Sequence, residues 1–185
     1  MHGLILAELK KFVGEKYGAE TWNQLVTKAG VERQMYLQSV IYPDHDAFAL
    51  VQAASDMTGL GVHAVMEGFG EFCVPHLIKQ YEFLVKPNWD LFDFLENTEG
   101  TIHKIIRFKE GATPPRIATH RLSGDELQIS YSSRRKMCAL LKGMVKGSAR
   151  HYKEEVIVQE SSCMLRGDTE CTVTVRRMRP RKPGV

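Results

Sequence analysis

The sequence predicts an α+β domain: an N-terminal helical lobe, then a small antiparallel four-stranded sheet with one helix inserted into it. Three observations carry that prediction. Apolar residues recur at helical spacing from the start of the chain to about residue 110. After Gly111 the texture changes to short, alternating, β-rich segments separated by turn residues. Between the second and third of these lies one amphipathic helical stretch, the mixture expected of an α+β arrangement.

The elements follow in order. Leu4, Ile5, Leu6, Leu9, Phe12 and Val13 make the first helical pattern, with Gly18 as its stop. Thr21 is placed to cap Trp22 to Ala29, and Gly30 closes that helix. Asp46 to Met57 and Val62 to Tyr81 carry two more helices. Pro75 is expected to kink or interrupt the second, because proline lacks an N–H and its ring crowds the preceding turn. Asn88 to Phe94 reads as a short helix, and Thr98 to Phe108 as another, capped by Asn97 or Thr98. Strands are predicted at Arg116–Leu122, Glu126–Ser132, Glu154–Ser161 and Cys171–Arg177, with turns at Ser123-Gly124-Asp125 and Arg166-Gly167-Asp168. The inserted helix runs from Arg134 to His151 and turns Met137, Leu140, Leu141, Met144 and Val145 to the core. No internal repeat is present, and Met178 to Val185 reads as a basic, flexible tail.

Composition narrows the function classes. The 185 residues suit one domain or two tightly joined lobes, with 43% hydrophobic and 25% charged residues typical of a globular protein. Net charge is +3, and five basic side chains sit in the last ten residues, so the body lacks the footprint of a nucleic-acid protein. No apolar run reaches the length of a membrane span, and Met1-His2-Gly3-Leu4-Ile5 lacks the basic region and cleavage site of an export signal. Four cysteines in a chain of this length are not a secreted disulfide framework, so a cytoplasmic protein is expected. No nucleophile–base pairing and no glycine-rich phosphate loop stand out, which points away from an enzyme.

Two features carry chemistry. Along a strand, side chains alternate between faces, so Tyr131, Ser133 and Arg135 project to one side. That row is either a polar strand edge facing water or a cradle for a carboxylate, with Arg135 giving a charge-assisted bond. His103 lies in an otherwise apolar helical stretch, Thr101-Ile102-His103-Lys104-Ile105-Ile106. It is either a core or boundary residue or a single axial metal ligand of the haem type; no His-x-x-x-His pair accompanies it.

In order along almost the whole chain, these pieces resemble the H-NOX family, the haem nitric oxide/oxygen-binding domain related to the haem region of soluble guanylate cyclase. The residues that carry the resemblance are Met1-His2-Gly3-Leu4-Ile5, Thr21-Trp22, Ala53-Ala54-Ser55, Phe69-Gly70-Glu71-Phe72, His103, Pro115 and Tyr131-x-Ser133-x-Arg135. The resemblance implies one haem-binding domain over residues 1–177, with a helical lobe over about 1–65, a haem-bearing lobe over about 66–177 and the tail at 178–185. Haem b is then expected between the lobes. His103 would be its proximal ligand, Tyr131, Ser133 and Arg135 would hold its propionates, and Ile5 and Pro115 would press on the porphyrin. Leu4, Ile5, Leu9, Cys73 and Val74 would line the distal face, and Leu140, Leu141 and Met144 would close the pocket.

Oxygen-binding members of the family place a tyrosine on the inserted helix. The corresponding Cys138-Ala139-Leu140-Leu141 offers only a weak thiol donor. The resemblance thus implies a sensor selective for nitric oxide, also able to bind carbon monoxide. It would signal by releasing His103 and shifting the lobes for a partner, a histidine kinase or a diguanylate cyclase. Some relatives hold zinc with three cysteines and a histidine three residues before the middle one. Here the cysteines are Cys138, Cys163 and Cys171, and Glu160 stands at the histidine position. Zinc, buried reduced thiols and a redox-sensitive pair all remain open readings. The contrasting class is a haem-free ligand-binding or scaffolding module, which would have no need of an imidazole at His103.

Overall fold

The computed structural model describes residues 1–32, 35–108 and 112–178. Helices α1 (Gly3–Tyr17), α2 (Ala19–Ala29), α3 (Asp44–Thr58) and α4 (Val62–Gln80) come first. Helix α5 (Leu91–Thr98) passes through a π-helical turn, Glu99–His103, directly into the short α6 (Lys104–Arg107). Strands β1 (Arg116–Arg121) and β2 (Glu126–Ser132) precede α7 (Cys138–His151), and β3 (Val156–Ser162) and β4 (Cys171–Arg177) follow it. The strands form one antiparallel sheet in the order β1-β2-β4-β3. The fold class and the inserted helix are as the sequence predicts. Among the described residues no helix is long and apolar enough to cross a membrane.

Local chemistry sets the boundaries, and several differ from expectation. Gly18, with φ 93°, ends α1 and starts α2, so Thr21 lies inside α2 and its hydroxyl donates to the Tyr17 carbonyl at 2.7 Å. Asp90 begins α5 in a capping box: the Asp93 N–H donates to Asp90 Oδ1 (2.9 Å) and the Asp90 N–H to Asp93 Oδ2 (3.2 Å). The predicted start at Asn88 therefore moves inward. The expected cap at Asn97 or Thr98 is absent, because Thr98 is itself helical and its hydroxyl donates to the Phe94 carbonyl. Pro75 does not interrupt α4.

The inserted helix begins four residues later than predicted. Ser133 to Met137 form a turn in which Lys136 adopts a left-handed φ of 49°, and Met137 is the N-cap of α7. Beyond Met178 the predicted basic tail lies outside the described residues.

Two apolar clusters make the core. The first gathers α1, α2 and α3 around Leu6, Trp22, Leu25 and Leu50, joined by Phe69 and Cys73 of α4 and Leu140 of α7. The second packs Leu91 and Phe92 of α5 and Val145 of α7 against Leu127, Ile129, Val173 and Val175 of the sheet. These last four are paired neighbours on one face of β2 and β4 (Leu127 with Val175, Ile129 with Val173), the alternation expected of a half-buried sheet. Helix α4 belongs to both clusters: Val65, Met66 and Phe69 enter the first, Val74 and Ile78 the second. Helices α4 and α7 cross at backbone distance, at Gly70, Gly143 and Gly147.

Candidate functional site

A cavity of about 220 Å³ lies where the two clusters meet. Its walls are mostly apolar. Leu4 and Ile5 come from α1, Val74 and Ile78 from α4, and Leu140, Leu141 and Met144 from α7. Pro115 lines it from the loop before β1. Of the residues expected on this wall, two lie elsewhere. Leu9 and Cys73 are both in the helical core. Leu9 is one helical turn beyond Ile5, where α1 packs on α2 and α4 and no longer on the cavity. Cys73 is turned about 100° from Val74 by the helical period and sits against the Gly70 carbonyl at 3.5 Å.

His103 ends the π-helical turn and lines the cavity with its side chain 15% exposed. Its Nδ1 lies 2.9 Å from Glu99 Oε2, and among the described residues its Nε2 has no protein partner. Burial lowers the His103 pKa and Glu99 opposes that only in part. The ring is therefore held neutral, the state in which imidazole binds a metal.

The polar rim forms by a different route from the one expected. Tyr131 is buried on β2, but the strand ends at Ser132, so Ser133 and Arg135 do not alternate with it along an extended chain. The turn at Lys136 bends them back, and all three still line the cavity. Burial raises the Tyr131 pKa, partly offset by hydrogen bonds with the Ser133 side chain and the Met137 backbone. Arg135 donates from Nε to Asp44 Oδ1 (2.7 Å) and from its terminal nitrogens to the Thr113 carbonyl (2.6 Å) and hydroxyl (2.9 Å). Asp44 also meets the Met1 amino group at 2.6 Å. Partial burial acts to raise the Asp44 pKa, but the amino terminus and Arg135 outweigh it and hold the carboxyl below its usual range.

An apolar cleft that holds the His103 imidazole and carries a guanidinium and two hydroxyls at its rim has the donor set for a haem: a flat apolar ring, an axial metal and two carboxylates.

The three cysteines of the second half converge. Cys138, Cys163 and Cys171 are buried, with their sulfurs within 4.8 Å of one another. The Cys138 and Cys163 sulfurs are 3.5 Å apart, and those of Cys163 and Cys171 3.9 Å. Burial, with the neighbouring Cys163, pushes the Cys138 thiol up to about 12. Glu160 is not in this group. Its carboxylate is paired with Arg166 (2.7 Å) and Lys142 (3.4 Å), which corrects its expected place as a fourth ligand.

Sequence reasoning missed Glu99, Asp44, Thr113 and Tyr81. Glu99 had a signal, since a carboxylate four residues before a histidine on a helix lies beside it. Tyr81 lines the cavity from the end of α4 and is 7% exposed; its place in the α4 period, seven residues after Val74, was the clue. Asp44 and Thr113 reach Arg135 only through tertiary structure.

A family model described as Haem-NO-binding matches residues 2–160 of the chain. The chain is 23% identical over 163 residues to soluble guanylate cyclase gcy-31 of Caenorhabditis elegans, covering 86% of this chain and 23% of that protein. It is 25% identical over 157 residues to soluble guanylate cyclase 89Da of Drosophila melanogaster, covering 82% and 23%. The chain thus spans about a quarter of the length of the curated relatives it matches. Its fold is that of solved H-NOX structures. An H-NOX protein from S. oneidensis in the Fe(II)NO state matches with TM-score 0.90 and 22% identity over 97% of this chain and all of that one. An I5F mutant of the T. tengcongensis H-NOX matches with TM-score 0.85 and 22% identity over 98% and 100%.

Proposed function

The chain belongs to the haem-NO-binding family, and from that premise we propose that it is a nitric oxide-selective haem sensor whose signal is the release of His103. The observation that carries the reading is the apolar cavity lined by His103, with its Nε2 unpartnered among the described residues, and rimmed by Tyr131, Ser133 and Arg135. Haem b, when bound, would supply an iron able to take up a diatomic gas, with the His103 imidazole as its protein ligand. Tyr131, Ser133 and Arg135 would hold the propionates, and Ile5 and Pro115 would lie against the ring.

Leu140, Leu141 and Met144 face the cavity from α7 without a hydrogen-bond donor. The Ser148 hydroxyl is already given to the Met144 carbonyl at 2.8 Å. Apart from the Tyr81 phenol at the end of α4, the cavity away from its polar rim has little to stabilise partial negative charge on oxygen, so nitric oxide and carbon monoxide are favoured. His103, once released, would move with α6, and the lobes would shift between two populations for a separate partner to read. A histidine kinase or a diguanylate cyclase suits that role. The chain itself senses and does not catalyse, and its free, buried thiols suit the reducing cytoplasm.

The test is an absorption spectrum of the ferrous protein, alone, in air, and with nitric oxide or carbon monoxide. The expected result is a shift to a five-coordinate iron spectrum with nitric oxide, a carbon monoxide adduct, and no stable complex in air. A complex that persists in air and is lost in Tyr81→Phe would overturn the selectivity. A colourless protein that refuses added haem would leave the haem-free module standing.

A second metal is supported by a separate observation, the three converging thiols. Three cysteines at this spacing suit three corners of a tetrahedral zinc site, with the fourth supplied from outside the cluster. Zinc would take the thiols as thiolates, and the raised pKa values of Cys138 and Cys171 make that binding release protons. Zinc affinity is expected to rise with pH between about 6 and 8. Metal analysis of protein expressed with zinc, followed by chelator competition across that range, checks it. Stoichiometric disulfide in place of metal would favour the redox reading.

A further inference from the structure

Glu99 is tied at both oxygens. Oε2 lies 2.9 Å from His103 Nδ1 and also accepts the Ile117 N–H of β1 at 3.3 Å. Oε1 is ion-paired with Arg107 at 2.5 Å, and Arg107 in turn donates to the Pro115 carbonyl at 2.9 Å. The carboxylate opens the π-helical turn and the imidazole closes it, and such turns are rare and frequently sit at functional sites. Glu99 is therefore fixed from the proximal helix and from the sheet edge, with His103 as its third partner.

We propose that Glu99 is a positioning residue for the axial imidazole: it accepts the Nδ1 proton of His103, fixes the ring and its tautomer, and makes Nε2 a stronger donor to iron. A ligating histidine whose other nitrogen gives its proton to a carboxylate gains basicity and a fixed orientation. Arg107 works against it, because its guanidinium draws on the same carboxylate and lessens what Glu99 can give to the Nδ1–H. The firmness of the His103–iron bond, and with it the ease of release, is set by the balance between these two side chains. The proposal rests on His103 being the axial ligand.

The two partners give effects of opposite sign, which a merely structural role would not. The readout is the iron–histidine stretching band in the resonance Raman spectrum of the ferrous haem-loaded protein. Glu99→Gln should lower its frequency and Arg107→Gln should raise it. Release of the histidine under nitric oxide should be about tenfold or more faster in Glu99→Gln, the range in which such outer partners act. In the diamagnetic carbon monoxide form, the Nδ1 proton of His103 should lose its downfield shift in Glu99→Gln. An unmoved band in Glu99→Gln, or a shift of the same sign in both variants, overturns the proposal and leaves His103 as ligand. Should Glu99→Gln fail to keep haem, the Arg107→Gln band decides: an upshift supports the role and an unmoved band overturns it. A wild-type protein without any iron–imidazole band overturns the ligand assignment and this proposal with it.

Discussion

His103→Gly is expected to abolish native haem ligation and to regain it when free imidazole is added. The cavity wall would stay apolar and the rim would still carry Tyr131, Ser133 and Arg135, so a site for the porphyrin remains. What disappears is the axial donor, and a small imidazole fits the space that the side chain vacates. The expected spectrum is that of weakly ligated haem at reduced occupancy, returning to the wild-type form in millimolar imidazole. The rescued protein should bind nitric oxide yet fail to signal, because the ligand is no longer tied to α6. A second imidazole on the wall, His2, supplies the control. Its Nδ1 accepts the Leu4 N–H at the start of α1, so His2→Ala is expected to fray a helix end and keep the axial spectrum. A His103→Gly protein with an unchanged spectrum and no need of imidazole would place the ligand elsewhere.

Gly143→Ala should destabilise the protein by about 3 kcal/mol, although alanine in a helix ordinarily stabilises it by up to about 1 kcal/mol. A Cβ on Gly143 would lie 2.0 Å from the Glu67 carbonyl oxygen and 2.8 Å from its carbon. Both are backbone atoms of α4, which cannot rotate aside as a side chain would. The two helices must separate, and the crossing offers no slack, since a Cβ on Gly70 or Gly147 would also strike backbone oxygen at 2.5 and 2.7 Å. Gly14 of α1 has nothing within 4 Å of its Cβ position, so Gly14→Ala should raise stability by roughly 0.5–1 kcal/mol. Urea denaturation of both variants is the measurement, and opposite signs are the result to look for. Equal behaviour would mean that the helices have room to adjust. Because Leu140, Leu141 and Met144 ride on α7, Gly143→Ala should also weaken haem retention.

Periodicity located nearly every element, because an amphipathic helix or strand must turn its apolar side to a core whatever its neighbours are. It failed where neighbours decide. Nothing local distinguishes Thr98 as a cap from Thr98 as a helical residue; the hydroxyl serves either, and the wider π-helical turn that follows keeps the chain helical. The Tyr131 row reads as one strand face, but β2 ends at Ser132 and the three residues reach one cavity through a turn instead. The left-handed Lys136, a conformation that sequence does not announce for lysine, does the bending. Glu160 was assigned by its place in the order of residues, but Arg166 and Lys142 reach it from other elements and hold it as an ion pair. Leu9 and Cys73 erred by about one helical turn and one residue respectively, which is enough to exchange a cavity wall for a core.

The way α4 serves both apolar clusters bears on how the molecule comes apart. Val65, Met66 and Phe69 anchor one end of a single helix in the first core, and Val74 and Ile78 anchor the other end in the second. Neither lobe can melt without stripping partners from a helix that the other lobe needs. The boundary expected near residue 65 is thus not a boundary of cooperativity. Slowly exchanging amides of α4 should report global unfolding, and a ligand gripped between the lobes should raise the stability of both together.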